Sequence, residues 1–208
     1  ISGCSDINAF NYDSNVCFDD GSCIPFVVGC TDTTSVNFDI NANTSMAFGG
    51  PLDNTFGAGG YFNGDQYLIF DSYKECIIKS AIIDVEAATS MTFELRNNAG
   101  NVIDDTTLSL VSGSQRVDLN FNVPIDSDMQ LGVPNGALQN IGLYRNSSNA
   151  IYPYDIASAI SITSSSAIGY PGYYYFFYDI EVESICFSSS WDCDSQGNCF
   201  DPGTGNGQ

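Results

Sequence analysis

Met91-Thr92-Phe93-Glu94-Leu95-Arg96 and Val117-Asp118-Leu119-Asn120-Phe121-Asn122-Val123-Pro124 decide the fold class. In both stretches apolar and polar residues alternate with period two, so an extended chain sends one set of side chains to each face of a sheet. The turn cluster Asn97-Asn98-Ala99-Gly100-Asn101 follows the first, and Pro124, which has no N–H for a ladder, ends the second. Working outward, strands are expected at 67–70, 76–85, 106–111, 129–133, 141–145, 159–163 and 173–183, separated by Asn, Gly, Asp, Ser and Pro. About nine strands and no convincing helical stretch predict an all-β fold, an antiparallel β-sandwich of jelly-roll type. At 208 residues the chain is long enough to bury one such core.

The flanks read differently. Residues 1–46 hold two short acidic copies of one unit: Gly3-Cys4-Ser5-Asp6 with Asn11-Tyr12-Asp13-Ser14-Asn15, then Gly29-Cys30-Thr31-Asp32 with Asn37-Phe38-Asp39-Ile40-Asn41. The first closes with Asp19-Asp20-Gly21-Ser22-Cys23, whereas the second lacks a closing stretch and is expected to be incomplete. Units so short and polar cannot own a core and must be held by bridges, ions or a neighbour. The sandwich is expected over 47–187, and 188–208 reads as a Cys-loop, Cys193 to Cys199, with a Gly-rich linker tail such as an excised segment would carry.

Eight cysteines, Cys4, Cys17, Cys23, Cys30, Cys76, Cys186, Cys193 and Cys199, occur in a chain with no histidine. No two have the Cys-x2-Cys spacing of a thiolate zinc site, so disulfides and an oxidising, extracellular setting are the natural reading. Layout favours Cys76 with Cys186 across the sandwich, Cys193 with Cys199 in the tail, and Cys4 with Cys23 bracketing the first repeat, which leaves Cys17 for Cys30. The rival of Cys4 with Cys17 and Cys23 with Cys30 stays open.

Five Lys and Arg stand against 25 Asp and Glu, a formal net charge of -20, which repels nucleic acid and anionic lipid. No apolar run is long enough to span a bilayer, so no membrane insertion is expected. The acidity suits hard cations. Asn11, Asp13 and Asn15 at alternate positions, with Asp19, Asp20 and Asp6 nearby, could hold Ca²⁺ in a loose turn, although an EF-hand is excluded because its Gly and bidentate Glu are missing. The same residues could equally cap turns through side-chain to backbone bonds.

In Tyr173-Tyr174-Tyr175-Phe176-Phe177-Tyr178, strict alternation sends Tyr174, Phe176 and Tyr178 to the core face and Tyr173, Tyr175 and Phe177 to the other. An exposed aromatic strip would stack on sugar rings or bury itself in a neighbour, unless a loop covers it. Tyr144 and Tyr152 are further candidates for that ligand or assembly surface. Lacking imidazole, the chain holds neither a Ser-His-Asp nor a Cys-His arrangement, and no nucleophile elbow, P-loop or dinucleotide turn occurs. A glycosidase needs only two carboxylates, but the acids here are scattered through turns with no local sign of a raised pKa, so no catalysis is expected.

The unit Gly3-Cys4-Ser5-Asp6, Asn11-Tyr12-Asp13, Asp19-Asp20-Gly21-Ser22-Cys23 resembles the acidic cysteine-bracketed repeats of large secreted proteins of marine Bacteroidota. The middle region, with Tyr67-Leu68-Ile69-Phe70 and Leu143-Tyr144-Arg145-Asn146, resembles a β-sandwich module appended to exported proteins of the same bacteria, and the tail is similar to their cysteine-pair linkers. The resemblance implies type IX secretion, a mosaic parent protein, and roles in surface attachment, filaments or substrate capture. It further implies O-glycosylation at Thr33 in Asp32-Thr33-Thr34 and Thr106 in Asp105-Thr106-Thr107. The expected function is thus a non-catalytic structural or adhesive module of a surface adhesin or filament, partnered by neighbouring copies or modules and by glycans. The alternative is a carbohydrate-binding module of a secreted multidomain enzyme.

Overall fold

The computed structural model describes residues 1–134 and 141–188, together with the backbone of two short strands beyond them. Two compact units emerge: Ile1–Ala47 with the chain from Ser184 onward, and Phe48–Glu183. Strands β1 (Ser2–Gly3) and β2 (Phe18–Asp19) belong to the first unit, and β3 (Met46–Gly49) leads out of it. Then follow β4 (Gly59–Phe62), β5 (Tyr67–Ser72), β6 (Cys76–Val85), β7 (Thr89–Arg96), β8 (Val102–Leu110), β9 (Gly113–Val123) and β10 (Asp126–Gly132). After these come β11 (Leu143–Asn146), β12 (Tyr154–Ile156), β13 (Ile160–Ser165), β14 (Tyr174–Tyr175) and β15 (Tyr178–Ser184). A small antiparallel pair, β16 (Asp192–Cys193) and β17 (Cys199–Phe200), sets Cys193 opposite Cys199 in register; the side chains expected to bridge there lie outside the described residues. Among the described residues no helix is long and apolar enough to cross a membrane.

The expected all-β antiparallel sandwich forms from two sheets. One runs β12-β13-β5-β10-β7-β8; the other runs β14-β11-β6-β15-β3, with β4 added on β11 and β9 on β6. The alternation read from the sequence explains the core: Phe93 and Leu95 of β7 and Leu119, Phe121 and Val123 of β9 are buried, while Asp118, Asn120 and Asn122 face solvent. The β6 and β9 ladder slips one residue between Ile78 and Ser80, where Asn120 takes a left-handed φ of 54°. Asparagine tolerates that conformation better than most residues, so the bulge keeps the apolar face inward on both sides of the slip.

The first unit corrects the expected extent of the second repeat, the expected bridges and the expected end of the sandwich. The second repeat is complete: as far as Thr44 its hydrogen bonds reproduce those of the first with each residue moved 26 places, the spacing from Cys4 to Cys30. Asp13 N donates to Cys4 O and Asp39 N to Cys30 O; Tyr12 N donates to Ala9 O and Phe38 N to Ser35 O; Cys17 N donates to Ile1 O and Asn43 N to Val27 O. The parallel pairing of Ser2 with Phe18 recurs as Val28 with Thr44. Even the glycine before each cysteine is forced alike, since a Cβ would stand 2.9 Å from Val16 at Gly3 and 2.8 Å from Ala42 at Gly29.

The closing stretch of the second copy comes from beyond the sandwich. In the first copy Asn11 donates through Nδ2 to Ser22 O (2.8 Å) and accepts Ile24 N at Oδ1 (2.7 Å). In the second, Asn37 donates to Ile185 O (2.7 Å) and accepts Phe187 N (2.9 Å). Ile185-Cys186-Phe187 therefore stands where Ser22-Cys23-Ile24 stands, and the bridges follow: Cys4 joins Cys23 as expected, but Cys30 joins Cys186. The favoured pairings of Cys17 with Cys30 and Cys76 with Cys186 are thus wrong. Cys186 belongs to the repeat and not to the sandwich, so the sandwich ends at Glu183 and not at 187. Cys17 and Cys76 are unpaired, the first exposed and the second buried at the start of β6.

Two outcomes are expected. Asn37→Ala orphans one carbonyl and one N–H of the closing segment and should lower stability by about 1–3 kcal/mol in urea unfolding; no loss would mean the segment is not held through this amide. Burial pushes the Cys76 thiol up to about 12, so iodoacetamide at pH 8 should label native protein at Cys17 and reach Cys76 only after unfolding.

Candidate functional site

The aromatic run 173–178 does not continue as one strand. After β14 the chain kinks at Phe176, whose φ of 70° is left-handed, and resumes as β15 at Tyr178. The kink breaks the alternation, so Tyr174, Tyr175, Phe176, Phe177 and Tyr178 are all buried. The expected exposed strip is therefore corrected: Phe177 packs edge-on against Phe93 of the opposite sheet (5.6 Å between centroids) and Tyr175 against Phe62 (5.9 Å). Only Tyr173 of the three keeps part of its surface.

Buried phenols need partners, and Tyr174, Tyr178 and Tyr152 find them. Tyr174 donates to Phe177 O (2.7 Å), Tyr178 to Asn146 Oδ1 (2.8 Å), and Tyr152 to Tyr173 O (2.7 Å). Asn146, itself buried in β11, spends its amide protons on Asn54 O and Gly57 O (2.9 Å each). Gly59, opposite Asn146 in β4, admits no side chain, because a Cβ would lie 2.3 Å from Arg145 O. Tyr174 is ringed by Phe56, Tyr152, Tyr154 and Tyr178 within 5.6–6.1 Å. Desolvation raises the ionisation of Tyr152, Tyr174 and Tyr178 above the ordinary phenol value.

Beside this knot stands a ladder of stacked groups. The Arg145 guanidinium lies between the rings of Phe62 (5.1 Å) and Tyr173 (4.6 Å), and Tyr170 covers Tyr173 at 4.9 Å. Nε and Nη1 of Arg145 are shielded from solvent and have no hydrogen-bond partner among the described residues, and the cation is held between the two rings. Tyr144, half-buried, meets Tyr61 edge-on at 5.6 Å.

The ladder ends at an open cleft of about 680 Å³ whose lining includes Ile151, Tyr152, Ser164, Ser165, Ile168 and Tyr170. Three of its residues stand well exposed: Ile168 at 95%, Ile151 at 79% and Tyr170 at 58%. The lining carries aliphatic and aromatic faces with Ser and Thr hydroxyls and no carboxylate, thiol or amine, a set suited to shape and stacking contacts and not to proton transfer. Of the expected surface residues only Tyr152 lines it, with Tyr173 next to it. Tyr170, Ile151 and Ile168 were missed, since the turn-rich stretch Ala167-Ile168-Gly169-Tyr170-Pro171 shows no periodicity; bulky apolar residues inside a turn cluster were the available signal.

The acidic candidates serve turns. Asp6 Oδ1 accepts Asn8 N (2.9 Å), Asp13 Oδ1 accepts both N and Nδ2 of Asn15 (2.9 and 2.8 Å), Asp19 Oδ1 accepts Gly21 N (2.8 Å) and Asp20 Oδ1 accepts Ser22 N (3.1 Å). The hydrogen bonds from Asn15 hold the Asp13 carboxyl below the usual carboxylate range, and those from Ser22 do the same for Asp20. Among the described residues no group of three or more acids or cysteines is placed to hold a metal ion. Thr33 is exposed beside the Asp32 turn, and Thr106 is half-buried within β8.

Substitutions separate scaffold from surface. Tyr170→Ala should change stability by less than about 0.5 kcal/mol, whereas Tyr174→Ala should cost about 3–5 kcal/mol, both read by denaturant unfolding. An unfolded tyrosine ionises near 10.0 while these three stay protonated in the fold. Their stabilisation is therefore whole below pH 10 and falls as pH rises beyond it; tyrosinate absorbance from them should appear only together with alkaline unfolding, and its appearance in the intact fold would contradict their burial. No protein-family model, curated protein or solved structure matches the chain.

Proposed function

We propose that the chain is a non-catalytic extracellular module for adhesion or assembly, one unit of a large secreted surface protein or filament, and that its contacts are made with neighbouring copies or modules. The supporting observation is the exposed apolar rim of Ile151, Ile168 and Tyr170 around an open cleft on a disulfide-closed scaffold. Disulfides of this kind persist in an oxidising environment. Apolar groups gathered around a cleft are costly to leave in water, and contiguous exposed apolar patches mark surfaces that meet something.

Charge sets the conditions for that meeting. Two copies at a formal charge of -20 repel each other, so contact must be short-ranged and apolar, and it strengthens when salt shortens the Debye length from about 30 Å at 0.01 M to about 8 Å at 0.15 M. Sedimentation should accordingly show self-association that rises with salt and is lost in Ile168→Asp. Monomer at every salt concentration would remove the reading.

The second reading, a carbohydrate-binding module, is favoured by one feature: Tyr152 and Tyr170 stand beside the hydroxyls of Ser164 and Ser165 in the same cleft, the combination that stacks on and hydrogen-bonds to an uncharged sugar. Saturable binding to one neutral polysaccharide, indifferent to salt and lost in Tyr170→Ala, would favour it. Calcium is proposed no further than its test. Because the Asp6, Asp13, Asp19 and Asp20 oxygens already cap backbone N–H groups, chelator should leave the melting midpoint unchanged; a fall on adding chelator would restore a bound ion, since a ligand of the native state stabilises by mass action.

A further inference from the structure

The second repeat follows the first as far as Thr44 and resumes at Ile185, so the sandwich unit Phe48–Glu183 occupies the place of the short Asp19-Asp20-Gly21 turn of the first copy. The whole sandwich is thus an insertion in the closing turn of one small repeat. Its two ends are gathered where the repeat closes: Ser184 N donates to Ser45 O (2.8 Å) and Ser184 Oγ to Gly29 O (2.9 Å). Just outside these contacts Cys30 and Cys186 are covalently joined, with Cα atoms 5.1 Å apart across 156 positions of sequence.

From this connectivity we infer a mechanical function: the bridge between Cys30 and Cys186 is a tension bypass that carries load along the parent chain past the sandwich without loading it. A pull on the two ends of the chain runs to Cys30, crosses the sulfur–sulfur bond and leaves from Cys186. Every residue between them, including the core, the aromatic knot and the cleft, lies off the line of force. The bridge between Cys4 and Cys23 does the same for the first repeat, short-circuiting 19 positions. Two sheets held together by non-covalent packing and hydrogen bonds, if pulled from their ends, would yield at their unfolding rate, whereas a covalent bond does not yield at loads that unfold domains. The bypass deepens the adhesive reading by explaining how a contact surface keeps its shape under tension, but the connectivity argument does not depend on what the surface binds.

Single-molecule force measurement on the full chain, held by its two ends, tests this. In oxidised protein no lengthening corresponding to the sandwich should occur at any load below rupture of the tether. Adding a thiol reductant under constant load should then release, in one or more steps, about 510–560 Å from the larger bridge and about 60–70 Å from the smaller, taking roughly 3.3–3.6 Å for each of the 156 and 19 positions. The double variant Cys30→Ser with Cys186→Ser should yield the longer extension without reductant, while Cys76→Ser, altering a buried thiol off the load path, should behave as the parent chain. Extension of the sandwich in oxidised protein would overturn the inference, as would reductant releasing nothing beyond the smaller length. The readout is length and not binding, so the bypass can fail while adhesion stands, and adhesion can fail while the bypass stands.

Discussion

The bond between Cys30 and Cys186 is the constraint on which the remaining structure depends. It turns 156 positions of sequence into a closed loop, and on the chain-entropy account a loop of that length is worth about 5 kcal/mol against the unfolded chain, near the top of the usual range. A repeat this small and polar could not hold its closing segment by burial. Its buried apolar residues are few, Cys4, Ala9, Val28, Cys30 and Phe187 prominent among them, so sulfur and the paired hydrogen bonds of Asn11 and Asn37 take the place of a core.

Within the sandwich the organising problem is different, because aromatic bulk is abundant and cations are few. Five Lys and Arg serve the chain; Arg145 is held by rings, and Arg116 lies over the Phe48 ring at 5.1 Å while pairing with Asp179. The kink at Phe176 converts a strand that could bury one face into a segment that buries both, and the phenol hydroxyls then find carbonyls and one amide for their protons. The cleft lies at the edge of this knot. Of its lining, Tyr152 is tied into the knot through its hydrogen bond to Tyr173 O and its stacking on Tyr174.

Much of the fold was legible beforehand. The alternation of 91–96 and 117–123 anticipates β7 and β9 and their buried faces, because period two is what a half-buried strand requires. Strands β3, β4 and β12 were not anticipated: they are short and rich in Gly or aromatic residues, and pairing with β11, β13 and β15 creates them where local pattern does not. The bridge between Cys4 and Cys23 was legible because its repeat is contiguous. That between Cys30 and Cys186 was hidden because a whole domain separates the partners, and proximity to the last strand pointed Cys186 at the sandwich. Likewise, alternation alone could not foresee that one left-handed residue, Phe176, would bury Tyr175 and Phe177 and that the cleft would be lined by a turn around Tyr170.

Peptide mapping of the unreduced protein by mass spectrometry addresses the central claim most directly. The account requires a cross-linked pair containing Cys30 and Cys186, with Cys17 and Cys76 recovered as thiols. A pair joining Cys76 to Cys186, or Cys17 to Cys30, would contradict it, because the second repeat would then be open and the sandwich would not be enclosed.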